Sequence, residues 1–153
     1  LTLMIMKRSS EMNDQLLINR IIRHEEIRTV MYKDSLDYWT MGCGHLCDPK
    51  KDGKFSLSSC MFILNEDLDA SRKELLIFPW FNKLDLIRQG MLIEMNFNVG
   101  LSNLLGFSRM IRAISINDFT QAEIEFKDSL LAKQIGKDRL NDMAYRLRWG
   151  KYL

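Results

Sequence analysis

HEEIRTVMYKDSLDYWTMGCGHL, residues 24–46, decides how the rest of the chain is read. Just upstream, Leu17, Ile18, Ile21, Ile22 and Ile27 fall at the three- and four-residue spacing of an amphipathic helix, predicted from Asn13 to about Arg28. Glu25 continues the Ile18, Ile21, Ile22 stripe, whereas Glu26 points elsewhere. A carboxyl at the end of an apolar stripe loses hydration, which disfavours the ionised form and suits a proton donor. Tyr32–Asp37 then reads as a turn and Tyr38–Cys43 as a short strand of period two. Trp39, Met41 and Cys43 share one face of that strand, with Tyr38, Thr40 and Gly42 on the other. Thr40 is thereby turned from the apolar side, where its hydroxyl can join Asp34 in holding a water. Singly, Glu25 is an ordinary helix-end glutamate, Asp34 a turn-former and Thr40 a strand residue. Together they offer one carboxyl to protonate a leaving oxygen and a second group to activate water, the two tasks of glycoside hydrolysis.

The order of these residues also carries a resemblance. Glutamate, eight residues, aspartate, five residues, threonine and then G-x-G-H-L resembles the catalytic signature of phage-type lysozymes, the endolysins of glycoside hydrolase family 24. Glu25, Asp34 and Thr40 fall on its three catalytic positions without a gap, and Tyr32-Lys33-Asp34, Tyr38, Gly42, Gly44, His45 and Leu46 fit around them. The likeness resumes in Leu84-Asp85, Arg88, Met95–Gly100, Gly106-Phe107, Arg112, Asp118-Phe119 and Lys133–Gly136, and Arg148-Trp149-Gly150 stands for a terminal Arg-Thr-Gly. It covers the chain from about Asn13 to Tyr152.

That resemblance implies hydrolysis of the β-1,4 bond between N-acetylmuramic acid and N-acetylglucosamine in peptidoglycan. Glu25 would be the acid, Asp34 its partner carboxylate and Thr40 the residue that places the attacking water, with inversion at the anomeric carbon. Arg139 resembles the late arginine that supports the acid, and His45 a structural residue beside the cleft. Leu46, Phe97 and Asn98 match cleft-lining positions. Met110 and Glu125 depart from the small or amide side chains found at two saccharide-contacting positions, Leu131 replaces a tryptophan, and Asp37 replaces a turn glycine. Two other outcomes stay open: a lysozyme-like protein that binds wall glycan without cutting it, and a lytic transglycosylase.

At 153 residues, 46% hydrophobic and 27% charged, the chain has the balance of one globular domain rather than a disordered or membrane protein. The apolar opening LTLMIM is too short to span a bilayer, and Lys7-Arg8-Ser9-Ser10 follows it in place of a cleavage site. Residues 1–12 are read as a loose leader, with the natural start trimmed or lying elsewhere because Leu1 is not a methionine. An endolysin without an export signal is expected in the host cytoplasm before lysis and in the periplasm and cell wall afterwards, dependent on a holin-like pore. Peptidoglycan glycan strands are the expected partner of a monomer, with no stable membrane insertion. A net charge of +2 gives no case for nucleic acid. Lys133, Lys137, Arg139, Arg146, Arg148 and Lys151 crowd the carboxy-terminal end against Asp138 and Asp142, and read as a solvated helix face.

Cys43, Cys47 and Cys60 leave one thiol over in any disulfide scheme, which fits a reducing compartment. Cys43, His45 and Cys47, with Asp48 as a fourth ligand, form an alternative zinc set. Because Gly42–Leu46 fits the G-x-G-H-L pattern with cysteine in its variable slot, no metal and no cofactor is expected.

The predicted fold is α+β, mainly helical and lysozyme-like. A single domain spans 13–153: a small β-containing lobe at about 25–57, a connecting helix at about 57–76, and a helical lobe at 77–153 on which helix 13–25 packs. Ser56 or Ser58 would cap the connecting helix, and Pro79 would follow its end. Asn82 would cap the next helix, whose stripe is Leu84, Ile87, Met91, Leu92 and Met95, and Asn98 with Gly100 would end it. Shorter helices are predicted at 101–105, 107–114, 118–127, 130–134 and 137–149.

Overall fold

The structure, a computed structural model, describes residues 2–25, 27–35, 38–46 and 57–153, with the backbone alone for residues 2–13 and 46. Helix α1 runs Thr2–Glu25 and leads into a three-stranded sheet of β1 (Arg28–Lys33), β2 (Trp39–Gly42) and β3 (His45–Leu46). Then follow α2 (Leu57–Leu76), α3 (Pro79–Asn82), α4 (Leu86–Val99), α5 (Leu101–Leu105), α6 (Ser108–Ser115), α7 (Phe119–Lys127), α8 (Leu130–Gln134) and α9 (Lys137–Trp149). The class is the mainly helical α+β that the sequence predicts.

The backbone of the amino-terminal part differs from these expectations at two points. The backbone of residues 2–12, read above as a loose leader, continues α1 without a break; nothing in Thr2–Met12 is proline or glycine, so no residue stops the helix there. At its other end α1 stops at Glu25, where the predicted helix 13–25 ends, and the apolar spacing that runs on to about Arg28 gives way to the strand Arg28–Lys33, which takes in the start of the predicted turn. Thr29, Val30 and Tyr32 favour extended backbone, which outweighs Ile27 as a continuation of the helical stripe. Strand β1 pairs antiparallel with β2, Tyr32 opposite Thr40 and Lys33 opposite Trp39, and β2 pairs antiparallel with β3, Thr40 opposite Leu46.

Strand β2 is therefore central, and α2 packs against the sheet. This placement alters the expected two-faced pattern. Met41 and Cys43 are buried as predicted, but so are Thr40 and Gly42. Gly42 has φ of +60° and lies so close to α2 that an added Cβ would stand 3.5 Å from Cys60 Cβ.

The helical part folds as its spacing predicts. Leu17, Ile18 and Ile21 of α1, Leu64, Leu68 and Leu75 of α2, and Met91, Leu92 and Met95 of α4 meet in one buried cluster with Phe81, Leu104, Ile114, Phe126 and Leu147. Helix α2 ends at Leu76, before Pro79. Ser56, one of the two predicted caps, lies outside the described residues. Asn82 does not cap α4. It closes the one-turn α3, and Asp85 caps α4, its Oδ1 accepting from the N–H groups of Ile87 at 3.1 Å and Arg88 at 3.0 Å. Aspartate at this position also complements the positive end of the helix.

Arg88 fastens the start of α4 to the end of α9. Its Nε donates to the Leu147 carbonyl and its Nη2 to the Arg148 carbonyl, both at 2.8 Å, which satisfies two of the unpaired carbonyls of the last helical turn. Gly150 then ends α9 at φ of +60°, and a Cβ there would lie 2.6 Å from Arg88 Nη1. Among the described residues no helix is long and apolar enough to cross a membrane.

Candidate active site

Glu25 is the last residue of α1, so its side chain leaves the helix where the chain turns into the sheet. Its carboxylate is about three-quarters buried, with 24% exposure, and its two oxygens face different elements. Arg139, near the start of α9, donates from Nη1 to Glu25 Oε1. Glu25 Oε2 faces the β2–β3 turn, where a Cβ built on Gly44 would lie 3.8 Å from it. Gly44 has φ of +83°, a conformation that glycine adopts without strain, and it presents no side chain to Oε2.

The sheet gathers the other candidates. Asp34 follows β1 and closes the hairpin: its Oδ1 accepts from the Tyr38 N–H at 2.9 Å, and its own N–H donates to the Tyr38 carbonyl at 3.0 Å. Thr40, 4% exposed, donates from Oγ1 to the same carbonyl at 3.2 Å. Tyr38 thus links the predicted carboxylate and hydroxyl through its backbone. Tyr32 stands opposite Thr40, and its phenol is pushed above its ordinary pKa by burial first; Arg28 opposes this, while Glu25 and Asp34 add to it.

His45 of β3 is held to α2, its Nδ1 lying 2.7 Å from Asp67 Oδ2. Of the cleft candidates, Leu46 lies in β3, with its side chain outside the described part. Phe97 is half-buried and packs on the hydrophobic core. Asn98 is exposed on the last turn of α4, where its amide donates to the Glu94 carbonyl at 2.6 Å. Met110 is buried beside a cavity of about 370 Å³ that Phe107, Glu125 and Leu131 also line, and Glu125 is paired there with Arg109 at 2.9 Å.

Cys43 and Cys60 are free and buried. Burial, helped by Cys60 and Glu25, pushes the Cys43 thiol up to about 11. Cys47 and Asp48, the other half of the zinc alternative, lie outside the described residues. A thiol pushed up to about 11 carries roughly a hundredth of the thiolate of an ordinary cysteine at pH 8. Cys43 should accordingly resist iodoacetamide in the native protein at pH 8 and react readily in denaturant, read by tandem mass spectrometry of the peptide. Rapid native labelling would contradict its burial against α2.

Four charged residues missed in the sequence stand behind Arg139. Its Nε donates to Glu94 Oε1 at 3.2 Å, and Glu94 Oε2 accepts from Arg146 Nη2. Arg146 Nε is 2.9 Å from Asp142 Oδ2, and Asp142 Oδ1 pairs with Arg20 of α1. Glu94 and Arg146 are fully buried. The carboxy-terminal basic residues are thus not one solvated face, because Arg139 and Arg146 are spent inside, neutralised by acidic partners. The detectable signal was Glu94 itself, a charge within the otherwise apolar Met91–Met95 run: where a helix is buried all round, such a charge must be paired within the protein.

Residues 22–149 match the phage lysozyme family. The chain belongs to that family. It is also 26% identical over 126 residues to the probable T4-type lysozyme 1 of Dictyostelium discoideum, an alignment covering 65% of this chain and 74% of the relative. Phage lysozyme membership carries lysozyme-type glycosidase chemistry on peptidoglycan. The match begins three residues before Glu25 and ends with α9, so it spans every residue of the ion-pair chain except Arg20.

Proposed function

We propose that this phage lysozyme family member cleaves the β-1,4 bond between N-acetylmuramic acid and N-acetylglucosamine by inverting hydrolysis, with Glu25 as proton donor. The observation that carries this reading is the placement of Glu25: Oε1 is fixed by Arg139 and Oε2 faces the side-chain-free surface of Gly44. A glycosidic oxygen approaching Oε2 would meet a carboxyl held in orientation, which general acid catalysis requires.

Asp34 and Thr40 take the water side. Thr40 spends its proton on the Tyr38 carbonyl, so its oxygen offers lone pairs to a water hydrogen, and the Asp34 carboxylate supplies the charge that draws off a proton as the water attacks. Inversion requires that water to fit between the sugar and the second carboxyl, which sets the two carboxyl groups of such enzymes about 6.5–9.5 Å apart. His45, held to Asp67, steadies the short β3 strand beside the turn that bears Gly44. Leu46, Phe97 and Asn98 form part of the sugar-contacting wall.

Working as an endolysin, the protein acts as a monomer that reaches the wall through a holin-like pore, leaving the host cytoplasm for the periplasm at lysis. Purified peptidoglycan digested with the protein should yield fragments that end in hydrated, reducing N-acetylmuramic acid by mass spectrometry. Anhydromuramic ends would select a lytic transglycosylase. Pelleting with the polymer and no new ends would leave a binding protein that does not cut.

A further inference from the structure

The ion pairs behind Glu25 form one alternating line: Glu25, Arg139, Glu94, Arg146, Asp142, Arg20. The side chains are fully buried in its middle, at Glu94 and Arg146, and become more exposed toward both ends, with Glu25 at 24% and Arg20 at 16%. Glu94 is the residue on α4 that holds two arginines of α9 at once, one on each oxygen. We propose that Glu94 is a positioning residue for glycosidic cleavage: it fixes where the Arg139 guanidinium meets Glu25 and limits the positive charge that Arg139 presents to it. This rests on the reading of Glu25 as the acid.

The physical reason lies in what Arg139 would do alone. A guanidinium bonded to a carboxylate favours its ionised form and so works against a proton donor. It also orients that carboxyl, which a donor needs. Glu94 reconciles the two by sharing the guanidinium: Nη1 goes to Glu25 and Nε to Glu94, so part of the positive charge is compensated by a fully buried anion.

Other charges nearby come from several elements. On α1, His24 is pushed below its ordinary pKa chiefly by burial, with Glu94 opposing and Arg139 and Arg146 assisting, so it is neutral at pH 7. Arg20 and Arg23 lie on the same helix, and burial first, then Arg146, lower the Arg20 guanidinium from its ordinary value. From α9 come Asp142 and Arg146, and beyond it Tyr152, whose phenol burial pushes up and keeps protonated. From α2, Glu74 is bonded to Asn96 of α4 at 2.7 Å. On the sheet side stand Arg28, Asp34, Tyr32 and Cys43, the last two neutral at pH 7 because burial raises both. Among the described residues, Glu94 is thus the carboxyl group bonded directly to Arg139 besides Glu25.

The test compares Glu94→Gln, which removes the charge with little change in shape, with Glu94→Asp, which keeps it. Rates on soluble peptidoglycan strands are measured across pH. Losing the anion leaves Arg139 uncompensated, so the protonated acid is lost at lower pH. The alkaline limb of kcat/KM in Glu94→Gln should move down by on the order of one pH unit, with kcat reduced about tenfold and KM nearly unchanged. In Glu94→Asp the limb should stay at its wild-type position. An unmoved limb in folded Glu94→Gln, or the same displacement in both variants, overturns the proposal.

If Glu94→Gln does not fold, Glu94→Leu combined with Arg146→Met removes one buried charge of each sign and decides the matter. NMR of the Arg139 guanidinium should show hindered rotation in the wild type and free rotation in the double variant, whose kcat should fall about tenfold. Unchanged rotation and kcat overturn the proposal. Should the wild type cut no peptidoglycan, the proposed hydrolysis fails, while the guanidinium NMR still reports whether Glu94 positions Arg139.

Discussion

Glu25→Gln should lose cell-wall hydrolysis by roughly 10²–10⁴-fold, the contribution that a positioned general acid makes. Glutamine is nearly the same size, so the helix end and the β2–β3 turn can keep their places. Its amide can still accept from Arg139 Nη1 through the carbonyl oxygen, and the turn beside it is glycine, with no side chain to clash. What it lacks is a transferable proton. The loss should fall on kcat, because the proton moves only as the glycosidic bond breaks. Circular dichroism and thermal unfolding should place its stability within about 1 kcal/mol of the wild type, since the residue is partly exposed and replaced isosterically. Full activity in this variant would remove Glu25 from the chemistry.

The second large effect belongs to stability. Arg146→Met should destabilise the protein by about 3–5 kcal/mol, because it leaves buried Glu94 and nearly buried Asp142 each short of a cation. For a chain of this size that corresponds to a fall in Tm of roughly 10 °C or more. Methionine fills most of the space of the arginine stem, so the loss is electrostatic more than a packing defect. Arg20 still pairs with Asp142, and Arg139 with Glu94, which keeps the effect below that of isolating either carboxylate. A differential scanning measurement in which Arg146→Met matches the wild type would mean that the buried charges are compensated some other way. Adding Glu94→Leu to this variant should recover part of the lost stability, since it removes the buried carboxylate left without Arg146, while Arg139 keeps only Glu25 and Asp142 only Arg20.

Much of the fold is legible because its determinants are local. The stripes of α1, α2 and α4 follow from apolar residues three and four apart, and the short helices from 101 to 149 appear within a residue or two of their predicted ends. Gly100 and Gly150 mark where α4 and α9 stop. What misled was local ambiguity decided by tertiary packing. Ile27 fits a helical stripe, yet Arg28–Lys33 extends because β2 is there to receive it. Asn82 and Asp85 are both plausible caps three residues apart, and Pro79 settles the matter by starting a separate turn that Asn82 completes. The alternation of β2 is real, but both its faces are covered, which a strand's own sequence does not reveal.

The site divides in the same way. Glu25, Asp34 and Thr40 stand out as candidates because their spacing within 16 residues fits a known pattern. Arg139, more than 100 residues later, was reached through resemblance, and its bond to Glu25 is a tertiary fact. Arg20, Glu94, Asp142 and Arg146 had no pattern of their own. Their pairing depends on α1, α4 and α9 meeting at one depth, which periodicity alone leaves undetermined.

With Glu25 as the proposed acid and Asp34 and Thr40 as the proposed water side, attack and departure would occur on opposite faces of the sugar. Proton NMR of the anomeric signals, followed from the first turnover on a soluble β-1,4 glycan of alternating N-acetylglucosamine and N-acetylmuramic acid, tests that directly. The α-anomer should appear first and then relax to the equilibrium mixture. Initial release of the β-anomer would contradict it, because retention requires a second displacement that a water-bearing Asp34 and Thr40 do not provide.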